Sequence, residues 1–253
     1  MTSVAAGPAI LVLHNYKNYR KEYFMKRLSH VGGGGNRLSS CIKGFTLAEV
    51  LVTLGIIGVV SAMTVPSLMQ NYQRQSYVTQ LHKVYNELNQ GLVQYMNERN
   101  AINLTEAGLT SNAAAESFIK KYFRIVQTCD TTTNCFADSY KTVSGADYSN
   151  AMEKTFKSYI LASGASIRPN YVKSGEKLIN LAVDINGKKG PNIHGRDLFF
   201  LFIYNNALVD DRGEAAPMTE DDRETSFEER CQKATNIGGC FGKILNDNWE
   251  MTY

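Results

Sequence analysis

The chain has 253 residues, 43% hydrophobic and 20% charged, with 27 basic side chains against 24 acidic ones for a formal net charge of +3. That is enough apolar material for a core and excludes a largely disordered chain. A mean hydropathy of −0.26 excludes a polytopic membrane protein, and five cysteines are too few for a disulfide-scaffold protein.

The charge is unevenly placed. Residues 1–44 carry seven basic side chains between Lys17 and Lys43 and one acid, Glu22. They hold +6 and the remaining 209 residues hold −3. Within this segment the run Gly32–Gly35 lacks the Gly-Lys-Ser/Thr of a phosphate loop and reads as linker. Leu38-Ser39-Ser40-Cys41 has the outline of a lipoprotein cleavage box but no apolar stretch before it, so lipidation is rejected.

Phe45 to Val65 follows, 21 residues with Glu49 as the single charge. As a helix it spans about 32 Å, enough to cross a bilayer's hydrocarbon core. Positive charge on its N-terminal flank predicts a cytoplasmic N-terminus and an exported C-terminal part. Ala62 offers a poor site for an ordinary signal peptidase. An uncleaved signal anchor carrying an extracytoplasmic binding protein, one that never polymerises, is the alternative from another class.

Lys43-Gly44-Phe45-Thr46-Leu47-Ala48-Glu49 stands at the edge of this run. It resembles the prepilin cleavage and methylation motif of type IV pilins and type II secretion pseudopilins. The resemblance covers roughly residues 43–97. It implies a cut between Gly44 and Phe45 by a prepilin peptidase, with N-methylation of the new Phe45 amine. Gly58 and Pro66 fall where many pilins also carry Gly and Pro, and are assembly residues by the same resemblance. Glu49 has a physical argument of its own. A lone carboxylate in a membrane helix is costly and calls for a partner, and no basic residue follows it until Arg74. The amine created at Phe45 would supply one between neighbouring subunits, in a medium where opposite charges attract strongly. The resemblance further implies a filament with other pilin-like subunits, homo- or hetero-oligomeric, an inner-membrane assembly platform and a cytoplasmic ATPase. Type II secretion and pilus functions are not separated by it.

The helix is expected to continue past Pro66, because Tyr77, Leu81, Val84, Tyr85, Leu88, Leu92 and Tyr95 recur at spacings of three and four. Gly55, Gly58 and Ala62 are small enough to permit close helix approach. Three segments follow: a leader over 1–44, a hydrophobic-to-amphipathic stem over 45–97 and a globular head over 98–253. Met25 is an alternative start that shortens the leader to 20 residues and leaves 1–24 outside it.

In the head, a helix is predicted over Ala113–Phe123, capped by Ser111 or Asn112. Cys129 and Cys135 come next, and Cys231 and Cys240 stand near the end. Export makes disulfides plausible. Pairing 129–135 and 231–240 is favoured because each closes a short loop, with a tetrathiolate zinc site as competitor. Strands are predicted over Leu178–Ile185, Leu198–Tyr204 and Ala207–Asp210, the first ending in the Asn186-Gly187 turn. The fold class is therefore α+β, pilin-like, a long helix packed against an antiparallel meander. The stretch Val183–Phe202 and the ending with Cys231, Gly239-Cys240 and Trp249–Tyr253 also resemble sequences found behind prepilin N-termini.

Asp184, Asn186 and Asp197 are calcium candidates, some pseudopilins being calcium binders, but the spacing lacks the late acidic ligand of an EF-hand. An Asn-Gly turn with Asp184 bonded to local backbone amides is the preferred reading. The acidic stretch 210–229, net −7, reads as a solvated loop. His82 is placed on the solvated stem and His194 in a turn, with no His-Glu-x-x-His and no triad, so no catalytic residue is assigned. No nucleic-acid partner is expected, since no basic stripe is evident.

Overall fold

The computed structural model describes residues 44–148, 155–233 and 236–253. The leader, its glycine run, Cys41 and Met25 lie outside the described residues. One compact unit ends at Ile57 and a second runs from Gly58 to Tyr253.

Helix α1 spans Leu47–Asn97, 51 residues, with Pro66 inside it. Its side chains divide sharply. From Phe45 to Met69 the large apolar residues are exposed. From Val78 onward a stripe of Val78, Leu81, Val84, Leu88, Leu92 and Tyr95 is buried, following the three-and-four spacing of one helix face. Gly91 lies within that stripe. A Cβ there would meet Tyr122 Cβ at 3.1 Å and Phe118 Cζ at 3.3 Å, so the missing side chain is what lets the next helix approach.

That helix, α2, runs Asn112–Tyr122. Ser111 caps it, its hydroxyl accepting from the Ala114 amide at 3.1 Å. Asn112 faces elsewhere and accepts from the Tyr171 amide at 2.7 Å.

Six strands follow: β1 Ile125–Cys129, β2 Ser158–Leu161, β3 Ser166–Ser174, β4 Lys177–Asp184, β5 Leu198–Tyr204 and β6 Val209–Asp210. They pair in chain order, all antiparallel, as an uninterrupted meander. Of the predicted third strand only Val209–Asp210 is strand, because Ala207 takes φ 62° in the turn before it.

Alternation sets the two faces of β4 and β5. Ile179, Leu181, Val183, Phe199, Leu201 and Ile203 join the cluster that contains the buried stripe of α1. Ala182, Leu198, Phe200, Phe202 and Tyr204 point the other way, onto Cys135, Phe136, Tyr140 and Tyr148. β4 and β5 are therefore buried along their whole length on both faces. This explains why both read as nearly continuous apolar runs.

The chain closes with α3 (Glu220–Ser226), a π-helical turn (Phe227–Gln232) and α4 (Cys240–Asn246). The reading of 210–229 as a solvated loop is thus corrected. Asp210 and Asp211 are buried at its start, and Thr219 caps α3 by accepting from the Asp222 amide at 3.1 Å.

Candidate processing and assembly site

Gly44, Phe45 and Thr46 precede α1 in non-helical backbone. Phe45 is 87% exposed, and nothing lies within 4 Å of where a Gly44 Cβ would stand. The helix starts where it does for a specific reason. Thr46 Oγ1 accepts from the Glu49 amide at 3.2 Å, and Glu49 Oε2 accepts from the Thr46 amide at 2.8 Å and from Thr46 Oγ1 at 2.9 Å. This is a reciprocal capping box, which satisfies otherwise orphaned donors at both positions. It was present in the sequence as Thr-x-x-Glu before an apolar run. Reading Glu49 only as a partner for an amine passed over it.

The apolar part of α1 is the one described helix long and apolar enough to cross a membrane. Gly55 and Gly58 face open space, with nothing within 4 Å of an added Cβ.

Farther along the chain, Cys129 is bonded to Cys135 and Cys231 to Cys240. Asp184 and Asp197 are fully buried and turned to internal hydrogen bonds. Asp184 accepts from the Tyr140 hydroxyl at 2.5 Å and the Asn186 amide at 3.2 Å. Asp197 accepts from the amides of Asn192 and Ile193, both at 2.6 Å. Asn186 gives its side-chain amide to the Gly190 carbonyl at 3.3 Å. Among the described residues no group of three or more His, Cys, Asp or Glu side chains is arranged to hold a metal. Burial pushes Asp184 up to about 8, against the lowering pull of its hydrogen bonds.

His194 lies in the Ile193–Arg196 turn and His82 on the stem, as expected, but neither ring faces open solvent. His194 is fully buried, stacked on Tyr148 with ring centroids 4.6 Å apart and within 3.6 Å of Cys240 Sγ. Desolvation lowers it to about 3. His82 is half-buried and stacks on Trp249 at 4.0 Å rather than facing solvent.

Asp211 had no sequence signal. Its buried carboxylate accepts from the amides of Arg212, Gly239 and Gly242, each at 2.6 Å. Two of those amides belong to the start of α4. Asp210 beside it holds Arg223 at 2.7 and 2.9 Å. Together with the Cys231–Cys240 bond these groups tie the chain's end to the sheet.

A long apolar N-terminal helix with a six-stranded antiparallel sheet is an α+β, pilin-like arrangement. Residues 39–65 match the family model of the prokaryotic N-terminal methylation motif, the signature of type IV pilins and pseudopilins. No curated protein and no solved structure matches the chain.

Proposed function

We propose that this chain is the precursor of a pilin-like filament subunit, cut between Gly44 and Phe45 and then assembled through its stem. The observation that carries this reading is the Gly-Phe-Thr-Leu-Ala-Glu sequence at the capped start of an uncovered apolar helix. The capping box ends the helix at Thr46, so the scissile bond lies in non-helical chain that a peptidase can bind. The apolar stretch first serves as a single membrane anchor, with the N-terminus cytoplasmic and the head outside the cytoplasm. In a filament the same side chains pack against neighbouring stems, with Gly55 and Gly58 permitting close approach.

Hydrolysis of the Gly44–Phe45 peptide bond leaves a carboxylate on the released Gly44 and a charged amine on Phe45, next to Thr46. Glu49 then has two uses, capping its own helix and pairing with the amine of a neighbouring subunit. That pairing sets the axial register of each incoming stem. Removing it leaves processing intact and stops incorporation. The partners are a prepilin peptidase, other pilin-like subunits and an inner-membrane platform, and the role is structural rather than enzymatic.

The test compares sheared surface filaments from cells making wild-type chain or Glu49→Val. Wild-type chain in the sheared fraction, with processed Glu49→Val confined to membranes, is the expected result. Equal incorporation of both would overturn the assembly role of Glu49, and absence of both would favour an anchor that never polymerises.

A further inference from the structure

Arg74 is the first charged residue after Glu49 along the stem. It lies five residues beyond Met69, the last of the exposed apolar run, which is about 8 Å along a helix. Between them stand Gln70, Asn71 and Gln73, with Tyr72 74% exposed. An exposed tyrosine among polar side chains just past an apolar run is the composition of a membrane–water interface. Headgroups occupy this depth, since they add several ångströms to each side of the hydrocarbon core.

A cavity of about 570 Å³ opens here, lined by Gln70, Gln73, Arg74, Tyr77, the Gly190–Pro191 turn and Arg196. That size is within the usual range for small-molecule sites. Its two arginines are close enough for Arg74 to lower the pKa of Arg196, adding to the effect of burial. Arg196 Nη1 is shut off from solvent and has no hydrogen-bond partner among the described residues. Neither arginine forms an ion pair among the described residues. Glu250 borders the adjoining cavity, which Arg74 also lines, and leaves Arg74 unpaired. Asp197, next in sequence to Arg196, spends its carboxylate on backbone amides. Arg196 lies over the Tyr253 ring at 5.4 Å, which offsets part of its desolvation, and two like charges converging on one cavity would both gain from a compensating anion. Lys188 and Lys189 are exposed on the same loop, just before Gly190.

We propose that Arg74 and Arg196 form an anion site at the membrane-proximal end of the head, taking the phosphate of an acidic phospholipid headgroup. Guanidinium groups suit phosphate oxygens by forked hydrogen bonding, and the lysine pair adds general attraction to an anionic surface. The occupied site would hold the head against the bilayer while the subunit waits for assembly. Extraction into a filament would then require its release. This inference rests on the reading of α1 as a membrane anchor.

The full chain in neutral detergent is titrated with dihexanoyl phosphatidylglycerol, dihexanoyl phosphatidylcholine, inorganic phosphate or a short polyglutamate peptide, with thermal unfolding as readout. Phosphatidylglycerol should raise the midpoint saturably and phosphatidylcholine should not. Arg74→Gln should weaken the response roughly tenfold, the loss of about one charge-assisted contact. Arg74→Gln/Arg196→Gln should abolish it. Among the described residues Arg74 makes no hydrogen bond, so the single variant keeps the test valid if the double variant fails to fold. Equal response to both lipids, or an unchanged response in Arg74→Gln, overturns the site. Saturation by phosphate alone or by polyglutamate at the same concentrations overturns the lipid assignment. Alkaline extraction of cell membranes reads the anchor separately. A chain retained in membranes without lipid preference refutes the site alone, whereas a chain released by alkali refutes the anchor and the inference with it.

Discussion

One helix serves two solvents. From Leu47 to Met69, α1 presents apolar side chains on every side, and none is covered. From Val78 to Tyr95 it presents one apolar stripe, and every residue of that stripe is buried. The backbone is the same in both stretches, so the difference is carried wholly by side-chain pattern. The second stretch is held by its own head. The first requires an apolar medium or other helices, because a stripe all round has no single face for one domain to cover.

Substitutions can set the two stretches against each other. The largest effect is expected at the cut. Gly44→Val meets nothing in the chain itself, so the head should fold normally while the precursor accumulates uncut, read as an unshifted band on immunoblots. Next is the buried stripe. Leu88→Ala should cost the head about 2–5 kcal/mol through a cavity that the surroundings only partly fill. Leu54→Ala, on an exposed residue, should leave the thermal midpoint of the head unchanged. Equal losses at both sites would erase the distinction.

A third prediction concerns pH. Asp184 has a folded pKa raised to about 8, so its contribution is complete below its unfolded value and disappears as pH climbs through 8. His194 is lowered to about 3, so its contribution is complete above its unfolded value, about 6.5, and disappears as pH falls toward 3. Between pH 6.5 and 8 the buried carboxylates dominate, since Asp197 and Asp211 are also raised by burial. Stability there should fall with rising pH, Asp184 alone contributing about 1–2 kcal/mol, measured as the shift of the thermal midpoint. Asp184→Asn should reduce that slope. The smallest effect is at the start of the stem. Thr46→Ala removes the cap and should loosen the first turn by about 1 kcal/mol, seen as faster amide exchange at Leu47–Val50 in bicelles.

Much of this was legible in sequence because it depends on short-range pattern. The apolar run, the three-and-four spacing through Tyr95 and the apolar strands β4 and β5 each announce themselves within a few residues. What was not legible depends on distant partners. The second face of the sheet is covered by irregular chain around Phe136, Tyr140 and Tyr148, which has no periodicity to read. Asp211 looked like part of an acidic loop because its three amide partners include two from residues 239 and 242. His194 sits in a polar stretch, and only the fold brings Tyr148 and Cys240 around it. The Thr46–Glu49 box was the exception, a local signal overlooked because Glu49 already had an attractive explanation.

The central claim is that the boundary at Gly44 is a processing site that releases the stem. Intact-mass and N-terminal peptide mass spectrometry of the chain from its native membranes tests this most directly. The account predicts a chain beginning at Phe45 with one methyl group on its amine. A chain that retains residues preceding Phe45 would contradict it.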